Sequence, residues 1–534
     1  MEVPEKEFNL LDEPWIRVML PNCEVREVSL MEVLLHAHEY VDLAGELPTQ
    51  DVAMLRLLLA VMHAVFYRVD ETGTTAQIKT PNDALVRWKR LWTLGHLPEK
   101  PIYDYLESYR ERFWLFHPTR PFWQVPTAAI GTQYTAAKLN GELSESSNKV
   151  RLFPVRTGED KSTVSYAEAA RWLLYVNGFD DTSAKPKGKG LPSTGAGWLG
   201  KLGLITAKGD NLFETLMLNF VIFNVDDNSV WDGATPTWEL TEVRSNERVE
   251  IVPSNDQAAL LTLQSRRLLL QSQKGKVTGY FLLGGDFFER VNAFVEQMTV
   301  WKPIIDNDEK PRSYQPCRHN SARKMWRDFA SFAVQDENNH LPGVVTWNKS
   351  LVSDCLDNRR IIRYQIASVQ YGDKDFFVSD VFSDSLEFHL DLLTELGRTW
   401  CLLVIDEIKR CDDISRIVGR LARDLDLADG GDGKSAGNKA QEQYYYRVDV
   451  PFRKWLLKLN PNYSEDKRRE LQADWHKTSR QIARDLGREL VRDTGLTAFT
   501  GRNVKEKRKK EEIICHYSTP EAFNRFSYCL SRLN

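Results

Sequence analysis

The chain has 534 residues, of which 42% are hydrophobic and 27% charged, and its formal net charge is −4. This length exceeds what one compact core holds, so we expect a soluble globular protein of two to four domains. The nearly neutral total says nothing for or against a nucleic-acid ligand, because a balanced sum can conceal a basic face. Seven scattered cysteines without a CxxC pair favour free thiols over a disulfide framework or a zinc ribbon.

The first residues are acidic and lack the apolar core of a signal peptide. The most apolar helical candidate, LLLAVMHAVFY, has 11 residues between Arg56 and Arg68. A membrane span needs roughly 20. We therefore expect a cytoplasmic protein of a prokaryotic type of cell, with no membrane contact.

The first part of the chain is predicted to be a mixed α/β domain. WIRVML and EVREVSL are typical of two strands around a turn, and helices are predicted over SLMEVLLHAHEY, residues 49–67 and NDALVRWKRLWTL. The polar stretch 130–161 indicates exposed loops, and YAEAARWLLYVN a short helix. Three later runs resemble strands: ETLMLNFVIFN, LLTLQSRRLLLQ and VTGYFLLGG.

After about residue 385 the pattern becomes helical. Four amphipathic stretches, starting near residues 386, 442, 464 and 518, predict four helices and no strands. Thr519 is the expected N-cap of the last helix, with Pro520 at its first position. We therefore predict an α+β chain, with a large mixed α/β domain over residues 1–384 and a C-terminal four-helix bundle over 385–534.

No catalytic site can be recognised in the sequence. GGDGKS lacks the first glycine and the preceding strand of a phosphate-binding P-loop. His36 and His38 are two residues apart, so a helix would point them to different faces. Cys515 and His516 have no partner at metal-ligand spacing. We expect neither a metal nor a cofactor.

The stretch AKPKGKGLPSTGAGWLGKLG is both flexible and cationic. Residues 184–208 contain five lysines, six glycines and no carboxylate. Glycine backbone can approach a sugar–phosphate surface closely, and lysines add charge. Further basic runs surround Arg266 and Arg267, Arg323 to Arg327, Arg359 to Arg363, and Lys505 to Lys510. On this chemistry alone, nucleic-acid binding and a solvated basic face are equally well supported.

Several longer motifs carry a more specific signal. They are NLLDEPWIRV, RPFWQV, SSNKVRLF, GAGWLG, PTWE, QSRR, MTVWKP, YQPCRHNSARKMWR and SVQYGDKD, in this order along the chain. With these motifs the chain resembles, nearly end to end, the large CasA-type subunit of the type I-E CRISPR surveillance complex, Cascade.

This resemblance implies a non-catalytic subunit for antiviral defence. In such complexes a guide RNA reads the target by base pairing, while protein checks a short motif beside it. The large subunit would read this protospacer-adjacent motif from the minor-groove side of duplex DNA, help to open the duplex into an R-loop, and recruit a separate helicase–nuclease. Its partners would be the guide RNA with the backbone, 5′-handle and small subunits. The N-terminal domain would dock at the guide's 5′ end, and the bundle would meet the small subunits and the displaced strand.

The resemblance also implies site residues. Residues expected to bind the DNA motif are Ser193, Thr194, Gly195, Ala196, Gly197, Lys302, Val369, Gln370 and Tyr371. Gln370 would act as a wedge at a hairpin tip, Ala196 replaces a glycine of the family's loop, and Lys310 is the alternative to Lys302. Asn148, Lys149 and Arg151 would lie near the guide and the duplex. Lys187, Lys189, Arg318, Arg323 and Lys324 would guide DNA by their charge.

Two other functions fit the sequence less well. A nuclease would need clustered carboxylates or a His/Asn/His group around a metal, and neither is found in the sequence. A scaffold that binds only proteins would not need flexible, acid-free basic loops. The motif sequence, the guide and the role of Lys505–Lys510 cannot be predicted.

Overall fold

The protein is described by a computed structural model. It describes residues 6–141, 156–182, 190–304, 313–335, 339–352, 355–357, 360–508 and 511–533. The chain forms two compact units. The first consists of Met1–Met325, Gln335–Leu356 and Ile362–Ser385, and the second of Trp326–Val334, Asp357–Ile361 and Leu386–Asn534.

The strands form small sheets, and each pairing with a known register is antiparallel. The strands are β1 (Glu7–Asn9), β2 (Ile16–Met19), β3 (Val25–Val28), β4 (Asp42–Leu43), β5 (Trp114–Phe116), β6 (Thr132–Thr135), β7 (Leu204–Lys208), β8 (Arg266–Gln273), β9 (Lys276–Gly284), β10 (Trp301–Pro303), β11 (Tyr314–Pro316), β12 (Ile361–Tyr371), β13 (Val378–His389), β14 (Arg502–Arg508) and β15 (Glu511–Tyr517). Their sheet orders are β1-β5, β3-β2-β4, β6-β9-β8, β13-β12-β7, β10-β11 and β14-β15.

Helices surround these sheets and build most of the second unit. They are α1 (Leu30–Leu35), α2 (Pro48–Phe66), α3 (Pro81–Leu94), α4 (Glu99–Ser108), α5 (Ala136–Leu139), α6 (Tyr166–Phe179), α7 (Leu212–Asn219), α8 (Gln257–Leu261), α9 (Ala330–Ala333), α10 (Gly343–Leu351), α11 (Arg398–Asp429), α12 (Ala436–Leu456), α13 (Glu465–Arg492), α14 (Leu496–Thr500) and α15 (Thr519–Arg532). The predicted α+β class is confirmed.

The first unit follows most of the predicted elements, with two clear errors. The stretch 130–161 was expected to form exposed loops, but the strand β6 and the partly buried helix α5 lie in it. Residues 214–224 were expected to form a strand, but α7 occupies Leu212–Asn219. The side chain of Asn211 accepts a hydrogen bond from the Glu214 amide at 2.9 Å, which caps the helix. A short apolar run is compatible with a buried strand or a buried helix, and the cap decides for the helix.

Helix α2 runs through the core of the first unit and is buried along most of its length. It is the one helix among the described residues that is long and apolar enough to span a membrane, and 94% of its most apolar window is buried inside the fold. Arg56 lies in this helix and forms a two-pronged ion pair with Glu296, at 2.8 and 3.0 Å. The indole N–H of Trp198 also donates to Glu296, at 2.8 Å, which ties the glycine-rich segment to the core.

In the second unit, α11 packs against α12, α13 and α15. The sequence predicted that the first of these helices starts near residue 386, but Leu386–His389 belong to β13 and α11 begins at Arg398. Leu386, Phe388 and Leu390 are buried at every second position, which is the strand period. The second unit also includes Trp326, whose indole N–H donates to Asp449 at 2.9 Å.

The expectation that the bundle contains no strands is wrong. Between α13 and α15 the chain forms the short helix α14 and the hairpin β14–β15, which pairs Arg502 with Tyr517. Val504 and Cys515 of this hairpin pack on a buried cluster that includes Tyr517. The N-cap of α15 is Ser518, so Pro520 is its second residue and not its first.

Candidate nucleic-acid interface

The glycine loop, residues 190–203, lies beside the end of β12. The antiparallel register places Leu204, the first residue of β7, opposite Ala367. The last residues of β12 therefore run past the start of β7 and along the loop. A Cβ atom at Gly200 would lie 2.0 Å from the Tyr371 hydroxyl oxygen, so loop and strand end are in direct contact. The fold thus joins the two segments predicted to bind the DNA motif.

Two arginines hold the glycine loop by its carbonyl groups. Arg248 donates to the carbonyl oxygens of Pro192 and, at 3.2 Å, Ser193. Arg266 donates to the carbonyl oxygen of Gly195 at 2.7 Å. Side chains of the protein itself therefore hold the loop in place, which lowers the entropy cost of binding.

The predicted motif-binding residues of the loop differ in their exposure. Ser193 is exposed and Gly195, at φ +64°, is half-buried. Thr194 and Ala196 are buried, and Ala196 is only 2% exposed. Ala196 was expected among the residues that bind the DNA motif, but it presents almost no surface to a ligand.

Gly197 also faces the interior. A Cβ atom at this position would lie 2.3 Å from the carbonyl oxygen of Gly178 in α6. The amide of Gly197 donates to the carbonyl oxygen of Asp180 at 2.9 Å. Gly197 was expected to bind the DNA motif, but it is buried and is required for close packing of the loop on α6.

Lys201 forms a cationic centre beneath the loop. Its Nζ would be 3.8 Å from a Cβ atom at Gly195, so it faces the exposed part of the loop. Within the described ranges, its ammonium group makes no hydrogen bond or ion pair. Burial, and then the positive charge of neighbouring arginines, lowers its pKa to about 8. These arginines are Arg266, Arg290, Arg248 and Arg318.

A small cavity under the loop is lined by Thr194, Lys201, Arg266 and Asp286. The Thr194 hydroxyl is buried and, among the described residues, has no hydrogen-bond partner. In the described part of the chain Asp286 forms no ion pair with Lys201; its carboxylate is bound by Arg267 at 2.6 Å and lies 3.4 Å from Arg244. In the described part of the fold, an unpaired cation and an unused hydroxyl therefore lie under the loop, which is a favourable arrangement for an anion.

Gln370 is exposed at the end of β12, as expected for a wedge, while its neighbour Val369 is 3% exposed. The side-chain oxygen of Gln370 accepts a hydrogen bond from Ser321 Oγ at 2.7 Å. Its backbone carbonyl accepts one from Ser379 Oγ at 2.9 Å. Gln370 thus projects from a strand end that is fixed on two sides.

Arg318 and Tyr371 hold the hairpin tip, residues 370–377, in place. Arg318 donates to both carboxylate oxygens of Asp375, at 2.7 and 2.9 Å, and its guanidinium lies 4.8 Å from the centre of the Tyr371 ring. The Tyr371 hydroxyl donates to the carbonyl oxygen of Phe179 at 2.6 Å. Arg318 therefore acts on the tip through an ion pair, and its charge is largely matched inside the protein.

The other described basic candidates lie on the surface. Lys302 is exposed on β10, paired with Gln315. Arg323 and Lys324, expected to guide DNA by their charge, lie just before the 3-10 helix that begins at Met325. Lys324 is exposed and Arg323 half-buried. Their contacts with DNA stay predictions.

Several other candidates lie outside the described residues. They are Asn148, Lys149, Arg151, Lys187, Lys189 and Lys310. The first four residues of the basic tract Lys505–Lys510 belong to β14. Its last two residues lie outside the described residues.

The basic pair in QSRR is structural and not a nucleic-acid surface. Arg266 and Arg267 are 2% and 1% exposed. Arg266 donates to Asp180 at 2.5 Å, across 86 residues of sequence. Two other basic residues at the glycine loop, Lys201 and Arg248, were not predicted as site residues from the sequence. Lys201 stands in the glycine-rich motif itself and could have been singled out, whereas no local pattern marks Arg248.

Metal binding finds no support in the described part of the chain. No group of three or more His, Cys, Asp or Glu side chains is placed there to hold a metal ion. The Nδ1 atom of His36 lies 3.0 Å from the Glu39 carboxylate, so this histidine has a local partner.

Comparison with known proteins identifies the family. The family model for CRISPR-associated protein Cse1 matches residues 9–486. The CasA/Cse1 protein of Thermus thermophilus is 35% identical over 332 residues, or 61% of this chain. That match spans 60% of the length of the relative.

Solved structures agree over nearly the whole chain. The Cse1 crystal structure from Thermobifida fusca has a TM-score of 0.80 and 27% identity, over 99% of this chain and 97% of that one. A chain of a structure named CRISPR RNA-guided surveillance complex has a TM-score of 0.71 and 16% identity, over 99% of this chain and all of that one, and shows the fold alone. This chain therefore belongs to the Cse1 (CasA) family of CRISPR-associated proteins, the large subunit of the Cascade surveillance complex.

Proposed function

We propose that this subunit recognises a protospacer-adjacent motif in duplex DNA from the minor-groove side and starts separation of the strands. The observation that carries this proposal is the contact between Gly200 of the glycine loop and Tyr371, next to the exposed Gln370. One surface thereby combines a loop that DNA can approach closely, the Lys201 cation and the projecting side chain of Gln370.

The backbone of the glycine loop can approach a groove edge more closely than a bulky side chain could. Ser193 and Gly195 present backbone with little bulk, and their carbonyls are already held by Arg248 and Arg266. The minor groove offers a degenerate pattern of acceptors plus the guanine amino group. A reader of this kind discriminates between some motifs and tolerates others, which is the behaviour we expect from this subunit.

Lys201 supplies the charge for the adjacent phosphates. Its ammonium lies beneath Gly195 and has no partner among the described residues. The exposed Arg290 adds positive charge nearby. Phosphate contacts of this type are the same for every DNA sequence. They also make the affinity for DNA fall as the salt concentration rises.

Gln370 acts as the wedge. It stands at the end of β12, where Ser321, Ser379 and the Arg318–Asp375 ion pair restrict movement. Unstacking a base step costs a few kcal/mol, and pairing with the guide later offsets the lost DNA pairing. A side chain held rigidly against the first base pair lowers the barrier to that exchange.

Membership in the Cse1 family supports the remaining roles that we propose. The first unit docks at the 5′ end of the guide RNA against the backbone subunits, in a type I-E complex. The second unit meets the small subunits and the displaced strand. Cleavage is left to a separate helicase–nuclease, which this subunit recruits, and the chain itself hydrolyses neither DNA nor ATP.

The test uses the assembled complex and a library of duplexes with a randomised motif. Gly195→Leu places a bulky side chain on the exposed part of the loop, so we expect loss of motif preference with unchanged guide RNA binding. Gly275→Leu is the matched control, because Gly275 also has a positive φ, of +75°, and open space around its Cβ position. If both variants select the same motifs as the parent, the loop does not enter the groove.

A further inference from the structure

A large cavity in the first unit plays no part in the proposed function. Its volume is about 450 Å³, which lies in the range of small-molecule sites. Residues of α5, α6, β9 and β13 line it. We call it the aromatic cavity, after four of its lining residues: Trp172, Tyr175, Phe179 and Tyr280.

Three of these rings come from α6 at helical spacing. The ring centres of Trp172 and Tyr175 are 5.2 Å apart, and the two rings are nearly perpendicular, at 87°. Tyr175 and Phe179 are 5.1 Å apart and stack at 26°. Residues three and four positions apart lie on the same side of a helix, so α6 lines the cavity with a continuous aromatic face. Aromatic faces attract cations and also pack well against methylene chains.

Buried carboxylates make the inside of this cavity electronegative. Asp180 and Asp181 belong to the lining and are buried. Burial, and then the charge of Asp180, raises the pKa of the Tyr280 hydroxyl. Burial also raises the pKa of Tyr175, and both carboxylates act in the same direction. The charged groups that act on these two hydroxyls are therefore anions, which favours a positively charged ligand.

The two buried aspartates have protein partners, whereas a third carboxylate of the lining is open. Asp180 accepts from Arg266 at 2.5 Å, and Asp181 accepts from Lys138 at 2.8 Å. Asp380 is exposed near the start of β13. In the described part of the chain, its carboxylate accepts only from the next backbone amide, at 2.8 Å. An anion without a cationic partner in that part of the chain therefore stands at the rim of the cavity.

The hydroxyl of Tyr280 is available inside the cavity. The residue is only 1% exposed, and within the described ranges its hydroxyl makes no hydrogen bond. Its oxygen is not among the unpaired polar atoms that are sealed from solvent, so it faces the cavity that Tyr280 lines. A buried hydroxyl is normally hydrogen-bonded, so its partner comes from whatever occupies the cavity. An ammonium group has three donors and no acceptor, and one of these donors suits the Tyr280 oxygen.

We propose that the aromatic cavity binds an aliphatic polyamine. One ammonium group lies among the rings and donates to the Tyr280 hydroxyl, while a second pairs with Asp380 at the rim. The methylene chain between them packs on apolar lining residues such as Leu139 and Val176. A single small cation would leave most of the cavity empty, and an anion would meet the carboxylates. The site is distinct from the glycine loop and needs no nucleic acid, so it does not rest on the proposed function.

The experiment measures binding of spermidine to the full chain by isothermal titration calorimetry, without nucleic acid. The comparison ligand is Nα-acetyl-lysine methylamide, which has a single ammonium group and represents a lysine side chain of a partner protein. Because only spermidine reaches both anchors, it should bind about fivefold more tightly. Asp380→Asn should remove this difference. Asp373→Asn is the matched control, because Asp373 is also exposed, lies in the turn between β12 and β13, and does not line the cavity.

Two further variants test whether the ligand lies inside the cavity. Tyr280→Phe keeps the ring but removes the hydroxyl, and should weaken spermidine binding about threefold. Val381→Trp places a large side chain in the lining at a half-buried position, and should abolish binding. Equal melting temperatures of variant and parent without ligand will show that the fold is kept, and if Val381→Trp melts lower, Tyr280→Phe decides.

Two results would overturn the proposal. Unchanged spermidine affinity in a folded Val381→Trp protein, or in Tyr280→Phe, would exclude the cavity as the site. Equal affinity of the parent protein for both ligands would overturn the assignment to a polyamine and point to a single ammonium group, such as that of a lysine side chain.

Discussion

The glycine loop and the hairpin tip meet at Gly200 and Tyr371, but they are built in opposite ways. Most of the loop faces inward: Thr194, Ala196 and Gly197 are buried. The tip carries an exposed Gln370 on a strand whose preceding residue is buried. A glycine-rich motif can therefore serve packing as much as ligand access, while a polar residue at a strand end can serve function without supporting the fold.

This difference has a consequence for mutations. Changes in the loop should act on folding first and on DNA second, except at Ser193 and Gly195. Changes at Gln370 should act on DNA alone. Four measurements would sharpen or break this contrast, in order of decreasing effect.

Gly197→Leu should give the largest effect. The new Cβ would lie 2.3 Å from the carbonyl oxygen of Gly178, so α6 or the loop must move. We expect a loss of about 3–5 kcal/mol in the free energy of unfolding, measured by urea denaturation. At Gly195 a Cβ atom would make only an ordinary contact, 3.7 Å from Lys201 Cε, but φ is positive, so Gly195→Leu should lose only about 1–2 kcal/mol. Equal losses at the two positions would contradict the inward orientation of Gly197.

Arg266→Met should follow, because it removes the buried partner of Asp180 and of the Gly195 carbonyl. Removing one partner of a buried ion pair typically costs about 3–5 kcal/mol. We expect about 3 kcal/mol in urea denaturation. Arg248→Met, at a half-buried arginine, should lose about 1 kcal/mol. A stable Arg266→Met protein would mean that the loop does not depend on this arginine.

Gln370→Ala should leave the free energy of unfolding within about 0.5 kcal/mol, because its side chain is exposed. In the assembled complex it should slow opening of fully paired, relaxed targets about tenfold, equivalent to about 1.4 kcal/mol. The measurement is the rate of strand separation on paired and pre-opened duplexes. Ser321→Ala, which removes the hydrogen bond to Gln370, should give a smaller defect. Equal slowing on both duplexes would make Gln370 an ordinary contact.

Lys201 should make DNA binding depend on pH. Its pKa in the free protein is about 8, and a phosphate partner would raise it in the complex. The contribution of Lys201 is therefore complete below about pH 8 and is lost as the pH rises through the higher pKa of the complex. We expect about a threefold loss of affinity for non-specific duplex between about pH 7.5 and 9. Lys201→Arg should abolish this dependence, and the same loss in that variant would exclude Lys201 as its source.

Much of the fold could be predicted from local pattern. Helix α2 was predicted over residues 49–67 and occupies Pro48–Phe66, because a long apolar stretch with a clear beginning permits few alternatives. The start of α11 could not be predicted as well. Leu386 to His389 suit a helix by composition, but they belong to β13, whose partner strand comes from a different part of the chain.

For the candidate interface, the sequence by itself determined the family, the position of the glycine loop and the place of Gln370 after the basic run. Only the tertiary structure decided which of the described cations are neutralised. QSRR and GWLGKLG are both basic. Arg266 forms an ion pair with Asp180, which is 86 residues away in the sequence. The charged groups that act on Lys201 are instead other cations. The charge of a residue is a local property, whereas its neutralisation depends on which distant segments the fold brings within a few ångströms.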